Sequence, residues 1–127
     1  MHVSLAGPAG PTIVTRKAKE AVAFYAAHFG IVANDYGAGD DCWYWTVSFG
    51  ERGELSFMVP QGTETEFTGQ GLFFYLELAD NAEVDALRER LVAAGVDAPK
   101  PALDGGMYQF WITDPAGLRL MIFAGMA

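Results

Sequence analysis

Residues 110–123 read FWITDPAGLRLMIF. Asp114-Pro115-Ala116-Gly117 is turn chemistry, because an Asp side chain hydrogen-bonds its own backbone and Gly supplies positive φ. The residues on either side alternate with period two, which predicts two strands joined by that turn. After the turn, Leu118, Leu120 and Ile122 fall on one face, and Arg119, Met121 and Phe123 on the other. The second face is too apolar for an ordinary wetted surface.

Outward from this hairpin, the order of elements repeats. Pro11–Arg16 reads as a short strand. A helix follows, with Ala21, Val22, Phe24, Tyr25 and Phe29 at helical spacing and Gly30 as its stop. Strand-like runs come at Ile31–Tyr36, Cys42–Phe49 and Glu54–Pro60, with GERG (50–53) turning between the last two. Gly71–Ala79 then opens a second pass. Its helix is capped by Asp80 or Asn81, carries the stripe Val84, Leu87 and Leu91, and ends at Gly95. A segment near Val96, Met107–Thr113 and Leu118–Ala124 complete it. The expected organisation is one domain, residues 1–127, of two βαβββ modules at about 10–60 and 71–124. A polar, Gly-rich linker at 61–70 joins them. Each module is too small to bury a good core alone.

The composition fits one globular domain: 127 residues, 51% hydrophobic and 19% charged. No apolar run approaches the roughly 20 residues that span a bilayer. The opening MHVSLAGPAGP lacks the basic and long apolar regions of a secretory signal, so a cytoplasmic protein is expected. Cys42 is the single cysteine, which excludes an internal disulfide and a cysteine-cluster metal site. A net charge of −8 opposes nucleic-acid binding and favours a cationic partner, or serves only solubility.

AVAFYAAHFG (21–30), LVAAGV (91–96) and GGMYQFWITDPAGLRLMIF (105–123) resemble the vicinal oxygen chelate superfamily. It includes glyoxalase I, extradiol dioxygenases, fosfomycin-resistance enzymes and bleomycin-resistance proteins. The resemblance runs from about Gly10 to Phe123. It implies an α+β fold of paired βαβββ units, whose mixed sheets curl into a cup with the helices outside. Leu72, Phe74, Leu76 and Leu78 then face a helix, and Phe73, Tyr75 and Glu77 face the cup, as does Met121.

Metal-dependent members hold a divalent ion with His and Glu ligands at the start of each first strand and on each last strand. Carried over position by position, those ligands fall near Gly10, near Ser56 (with Glu54 on the same face), at Phe73 and at Met121. Only Glu54 suits such an ion. The histidines are His2, near the N-terminus, and His28, inside the first helix. Three protein ligands are the usual minimum for a catalytic site. No metal or other cofactor is therefore expected.

What stands in their place is aromatic and soft. Phe73, Tyr75, Met121 and Phe123 fall on the cup face, joined by Gln109, Trp111 and Thr113 if Phe110 and Ile112 pack inward. The pseudo-repeat puts Trp43 and Trp45 on the cup face too. Such side chains give adaptable area for flat ligands, and Glu54 and Glu77 add negative charge. The candidate ligand-binding set is Trp43, Trp45, Glu54, Met58, Phe73, Tyr75, Glu77, Gln109, Trp111, Met121 and Phe123. The competing reading is that these rings fill core or a subunit interface. Cys42 has no histidine placed to activate it, Asp40-Asp41 reads as a solvated loop, and Asp114 and Gly117 serve the turn. No catalytic residue is assigned.

The resemblance to the metal-free, bleomycin-resistance branch implies a homodimeric protein that sequesters an aromatic, cationic or planar natural product such as an antibiotic, conferring self-protection or drug resistance. Neither membrane nor nucleic acid is an expected partner. One alternative is a superfamily enzyme of lyase, isomerase or dioxygenase type, or one that uses Glu54, Glu77 or Tyr75 as acid or base. Another is a regulatory or structural dimer.

Overall fold

The computed structural model describes residues 10–35, 42–50 and 53–125. The chain divides between Phe67 and Thr68 into two compact units, and each runs strand, helix and three strands. The first holds β1 (Thr12–Val14), α1 (Ala18–Phe29), β2 (Asn34–Asp35), β3 (Tyr44–Ser48) and β4 (Glu54–Met58). The second holds β5 (Phe73–Leu78), α2 (Asn81–Ala93), β6 (Ala102–Asp104), β7 (Met107–Thr113) and β8 (Arg119–Ala124). The sheets have orders β1-β4-β3-β2 and β5-β8-β7-β6. In both, the first strand pairs parallel with the last and the remaining pairs are antiparallel. Each unit is thus a βαβββ module with a mixed four-stranded sheet, an α+β arrangement.

Local chemistry explains the elements. α1 ends where Gly30 adopts φ 69°, a left-handed conformation that residues with a Cβ avoid. α2 starts at Asp80, whose carboxylate accepts from the Glu83 backbone N–H at 2.9 Å, filling one of the orphan donors of the first turn. The Asp114 turn also forms as its residues dictate. Oδ1 accepts from the N–H groups of Ala116 and Leu118 at 2.8 and 3.0 Å, while Gly117 has φ 89°.

Each core lies between a helix and one sheet face. In the first unit, Tyr25 of α1 sits 5.7 Å from the Phe57 ring, and Ile13, Val47 and Leu55 are buried on that same face. In the second, Val84, Leu87 and Leu91 of α2 meet Phe110, Ile112, Leu118, Leu120 and Ile122, all buried.

Three expectations need correction. The strand placed near Val96 lies instead at Ala102–Asp104, because the Pro99-Lys100-Pro101 run withholds two backbone N–H donors just before it. The strand expected over Ile31–Tyr36 shrinks to Asn34–Asp35; Tyr36 is outside the described residues. The first part of the linker is bound to its own unit, since the Phe67 N–H donates to Val14 O at 2.8 Å and Arg16 pairs with Glu66 at 3.6 Å. Among the described residues no helix is long and apolar enough to cross a membrane.

Candidate functional site

In the second unit, register decides which side chains share a face. Across β5 and β8, Phe73 pairs with Arg119, Tyr75 with Met121 and Glu77 with Phe123. Across β7 and β8, Thr113 pairs with Arg119, Trp111 with Met121 and Gln109 with Phe123. Their odd-numbered neighbours therefore lie together on the face turned away from α2. All seven second-half candidates (Phe73, Tyr75, Glu77, Gln109, Trp111, Met121 and Phe123) are on it.

The outer layer of this face is aromatic and open. Phe73 is 50% exposed and Tyr75 is 63% exposed. Phe73 meets Trp111 edge-on at 5.0 Å, and Tyr75 covers Phe123 at 5.9 Å. Beneath them Met121 and Phe123 are buried, forming an apolar floor on the central strand. Gln109 is buried and donates from Nε2 to Asp104 O at 2.9 Å. The Glu77 carboxylate lies against the Gly125 backbone, where any Cβ would stand 2.3 Å from Oε2. One further member of the face, placed there by alternation in the sequence, is absent from the candidate ligand-binding set. Arg119 stacks its guanidinium 4.5 Å from the Trp111 ring centroid, so the protein's own cation already covers that ring. Period-two alternation from Met121 was the available signal.

The first unit is organised differently. Trp45 pairs with Phe57, in step with Ile13 and Val47, and it is buried against the α1 side. That corrects its expected cup-face placement. The strand reads Trp45-Thr46-Val47-Ser48, and simple alternation buries the apolar positions; matching the pseudo-repeat reversed the phase. Trp43 precedes β3, is 41% exposed and stands edge-on to Tyr44 at 6.1 Å. Glu54 and Met58 do lie on the face away from α1, in register with Thr12, Tyr44, Thr46 and Ser56.

That face carries a hydroxyl network the sequence reading missed. Thr12 Oγ1 and the Tyr44 hydroxyl share a hydrogen bond at 3.2 Å, and Thr46 Oγ1 and Ser56 Oγ share one at 2.9 Å. Hydrogen bonding from Ser56, then from Thr12 and Thr46, lowers the Tyr44 phenol below its ordinary 10.0, against burial and the Glu54 charge.

The family's metal position fails a fit test on these residues. Gly10 presses on the Glu54 backbone so closely that a Cβ would lie 1.9 Å from the carbonyl oxygen, so no ligating side chain fits there. Ser56 is engaged with Thr46, and Phe73 and Met121 offer no hard donor. Among the described residues no group of three His, Cys, Asp or Glu side chains could hold an ion. His28 meets Phe24 edge-on at 4.8 Å. Buried Cys42 donates to Tyr44 O. His2, Asp40 and Asp41 lie outside the described residues.

A model of the Glyoxalase/Bleomycin resistance protein/Dioxygenase superfamily matches residues 4–122. Several solved structures are similar in fold. A glyoxylase/bleomycin resistance protein/dioxygenase domain from Frankia sp. EAN1pec is 18% identical with a TM-score of 0.74, covering 96% of this chain and 99% of that one. Lactoylglutathione lyase from Agrobacterium tumefaciens is 20% identical with a TM-score of 0.71, covering 96% of each. An antibiotic binding protein from Streptomyces sp. CB03234 is 20% identical with a TM-score of 0.69, covering 97% and 98%. No curated protein matches the sequence significantly.

Proposed function

Because the chain belongs to the glyoxalase/bleomycin resistance protein/dioxygenase superfamily, we propose that it is a metal-independent binder that sequesters a planar aromatic natural product, such as an antibiotic. The observation that carries this reading is the exposed aromatic face of the second unit, with Phe73, Tyr75 and Trp111 above Met121 and Phe123. Large rings beside a polarizable thioether give contact area that tolerates varied flat ligands. The sheet's other face already supplies the core, so these rings are not needed to fill it. The antibiotic binding protein among the structural neighbours lends the reading a precedent on the same fold. Glu77 favours a ligand with a cationic group toward its end of the face. Sequestration needs no reacting group, since binding alone lowers the free drug concentration and protects the cell. A homodimeric state and a cytoplasmic location belong to this proposal.

A thermal-shift panel of natural products tests it. A ligand at about 100 times its dissociation constant adds about 2.7 kcal/mol of stability. Chromatography of the bound compound should then return it unchanged, and Trp111→Ala and Phe73→Ala should each weaken it. A hit whose affinity ignores both substitutions would overturn the assignment. Chemical conversion of the hit would favour the enzymatic alternative, for which the hydroxyl network of Thr12, Tyr44, Thr46 and Ser56 is the supporting observation.

A further inference from the structure

We infer that Arg119 is the anion-recognising element of the aromatic face, so that the ligand it takes is an aromatic compound bearing one acidic group. This inference rests on the sequestration reading and sharpens its ligand class. A cavity of about 190 Å³ opens between the 96–99 segment and the side chains of Trp111, Thr113 and Arg119. This space is an open cleft with both polar and apolar lining, so a ligand there can set a ring on Trp111 while its polar substituent meets Arg119.

The charges at the cavity are specific. The Arg119 guanidinium carbon lies 4.5 Å from the Trp111 ring centroid, and the residue is otherwise exposed, so the ring holds the cation at the face while its donors remain accessible to a ligand. A guanidinium held in this way presents paired donors that match a carboxylate or sulfonate, and less of its freedom is lost on binding. Arg119 forms no ion pair with any described carboxylate, although the chain has 16 acidic residues against 8 basic ones. Asp97 lines the same cavity without pairing to Arg119. It accepts from a hydroxyl or amine of the ligand and opposes a negative group on its own side of the cleft, which directs the acidic group toward Arg119. Glu77 lies four residues along β5 from Phe73, the register partner of Arg119, roughly 13 Å at strand rise. The face is therefore positive at one end, aromatic in the middle and negative at the other. The whole-chain charge of −8 conceals this local cation.

Two dyes sharing one ring system test the inference on the intact chain. Anilinonaphthalene sulfonate carries the acidic group, and phenylnaphthylamine lacks it. Fluorescence titration should give the sulfonate at least about tenfold tighter binding, as a charge-assisted hydrogen bond requires. Arg119→Gln should bring the affinity ratio near unity, Arg119→Lys should keep part of it, and Trp111→Ala should weaken both dyes. Equal affinities in the parent chain would overturn the role of Arg119 while leaving the aromatic face standing. A sulfonate preference that survives Arg119→Gln would also overturn it. Binding of neither dye would remove both this inference and the aromatic-face reading.

Discussion

Gly10 lies against the backbone carbonyl of Glu54, where a Cβ would stand 1.9 Å from the oxygen. The neighbour is main chain on β4, a central strand of its sheet, so it cannot swing aside as a flexible side chain would. Gly10→Ala should therefore destabilise the protein by about 1–3 kcal/mol through overpacking, read from the midpoint of urea unfolding.

The same contact bears on metal binding. A Gly10→His variant restores a family ligand type at that position but should unfold more readily and gain no divalent ion. Mass-spectrometric metal analysis of parent and variant, purified without a His-tag, is the measurement. One tightly held ion per parent chain would sink the metal-free reading.

Trp45 and Trp111 should separate stability from binding. Trp45 sits in the α1-side core beside Val47, Leu55 and Phe57, so Trp45→Ala should cost about 3–5 kcal/mol of stability. Trp111 is half-buried on the opposite kind of face, edge-on to Phe73 and beneath the Arg119 guanidinium. Trp111→Ala should unfold within about 1 kcal/mol of the parent yet weaken a confirmed ligand about tenfold or more. Calorimetry for stability and tryptophan quenching for binding would expose a reversal of these roles.

Asp114 gives a sharper stability test. Its Oδ1 holds two backbone N–H groups in a buried turn, and alanine would strand both. Each stranded donor costs about 1–3 kcal/mol. Asp114→Asn retains the acceptor oxygen and should fall between parent and alanine in a urea titration.

Legibility in the sequence followed the strength of local chemistry. The Asp114–Gly117 turn, the Asp80 cap and the Gly30 stop each depend on one or two residues acting on their own backbone, and each was visible. The face of β5, β7 and β8 was visible because both sides of those strands are apolar and Met121 fixed the phase. Trp45 was misplaced because its own alternation with Thr46 and Ser48 was set aside for a repeat-based alignment. Arg119 was placed on this face by alternation but given no role, because charge was summed over the chain, whereas a cation over a ring acts locally. The Thr12–Tyr44 and Thr46–Ser56 bonds join strands 32 and 10 residues apart, and no local pattern announces such pairs.

Two tyrosines should titrate in opposite directions. The hydroxyls of Ser56, Thr12 and Thr46 stabilise the Tyr44 phenolate and lower its pKa below 10.0. Tyr108 donates to Asp85, and that bond, followed by burial and the carboxylate's charge, raises its pKa above 10.0. Folding therefore favours ionised Tyr44 and neutral Tyr108. The Tyr44 contribution is present above its unfolded value and is lost as pH falls through its lower folded value. The Tyr108 contribution is present below the unfolded value and is lost as pH rises through the higher folded one. Near-ultraviolet absorbance of phenolate, followed through alkaline pH, should lose an early component in Tyr44→Phe and a late one in Tyr108→Phe. The stability gap between Tyr44→Phe and parent should widen as pH climbs toward and past 10.0, while the gap for Tyr108→Phe should narrow. Loss of the early component in Tyr108→Phe instead would show that the hydroxyl network does not hold Tyr44 as described.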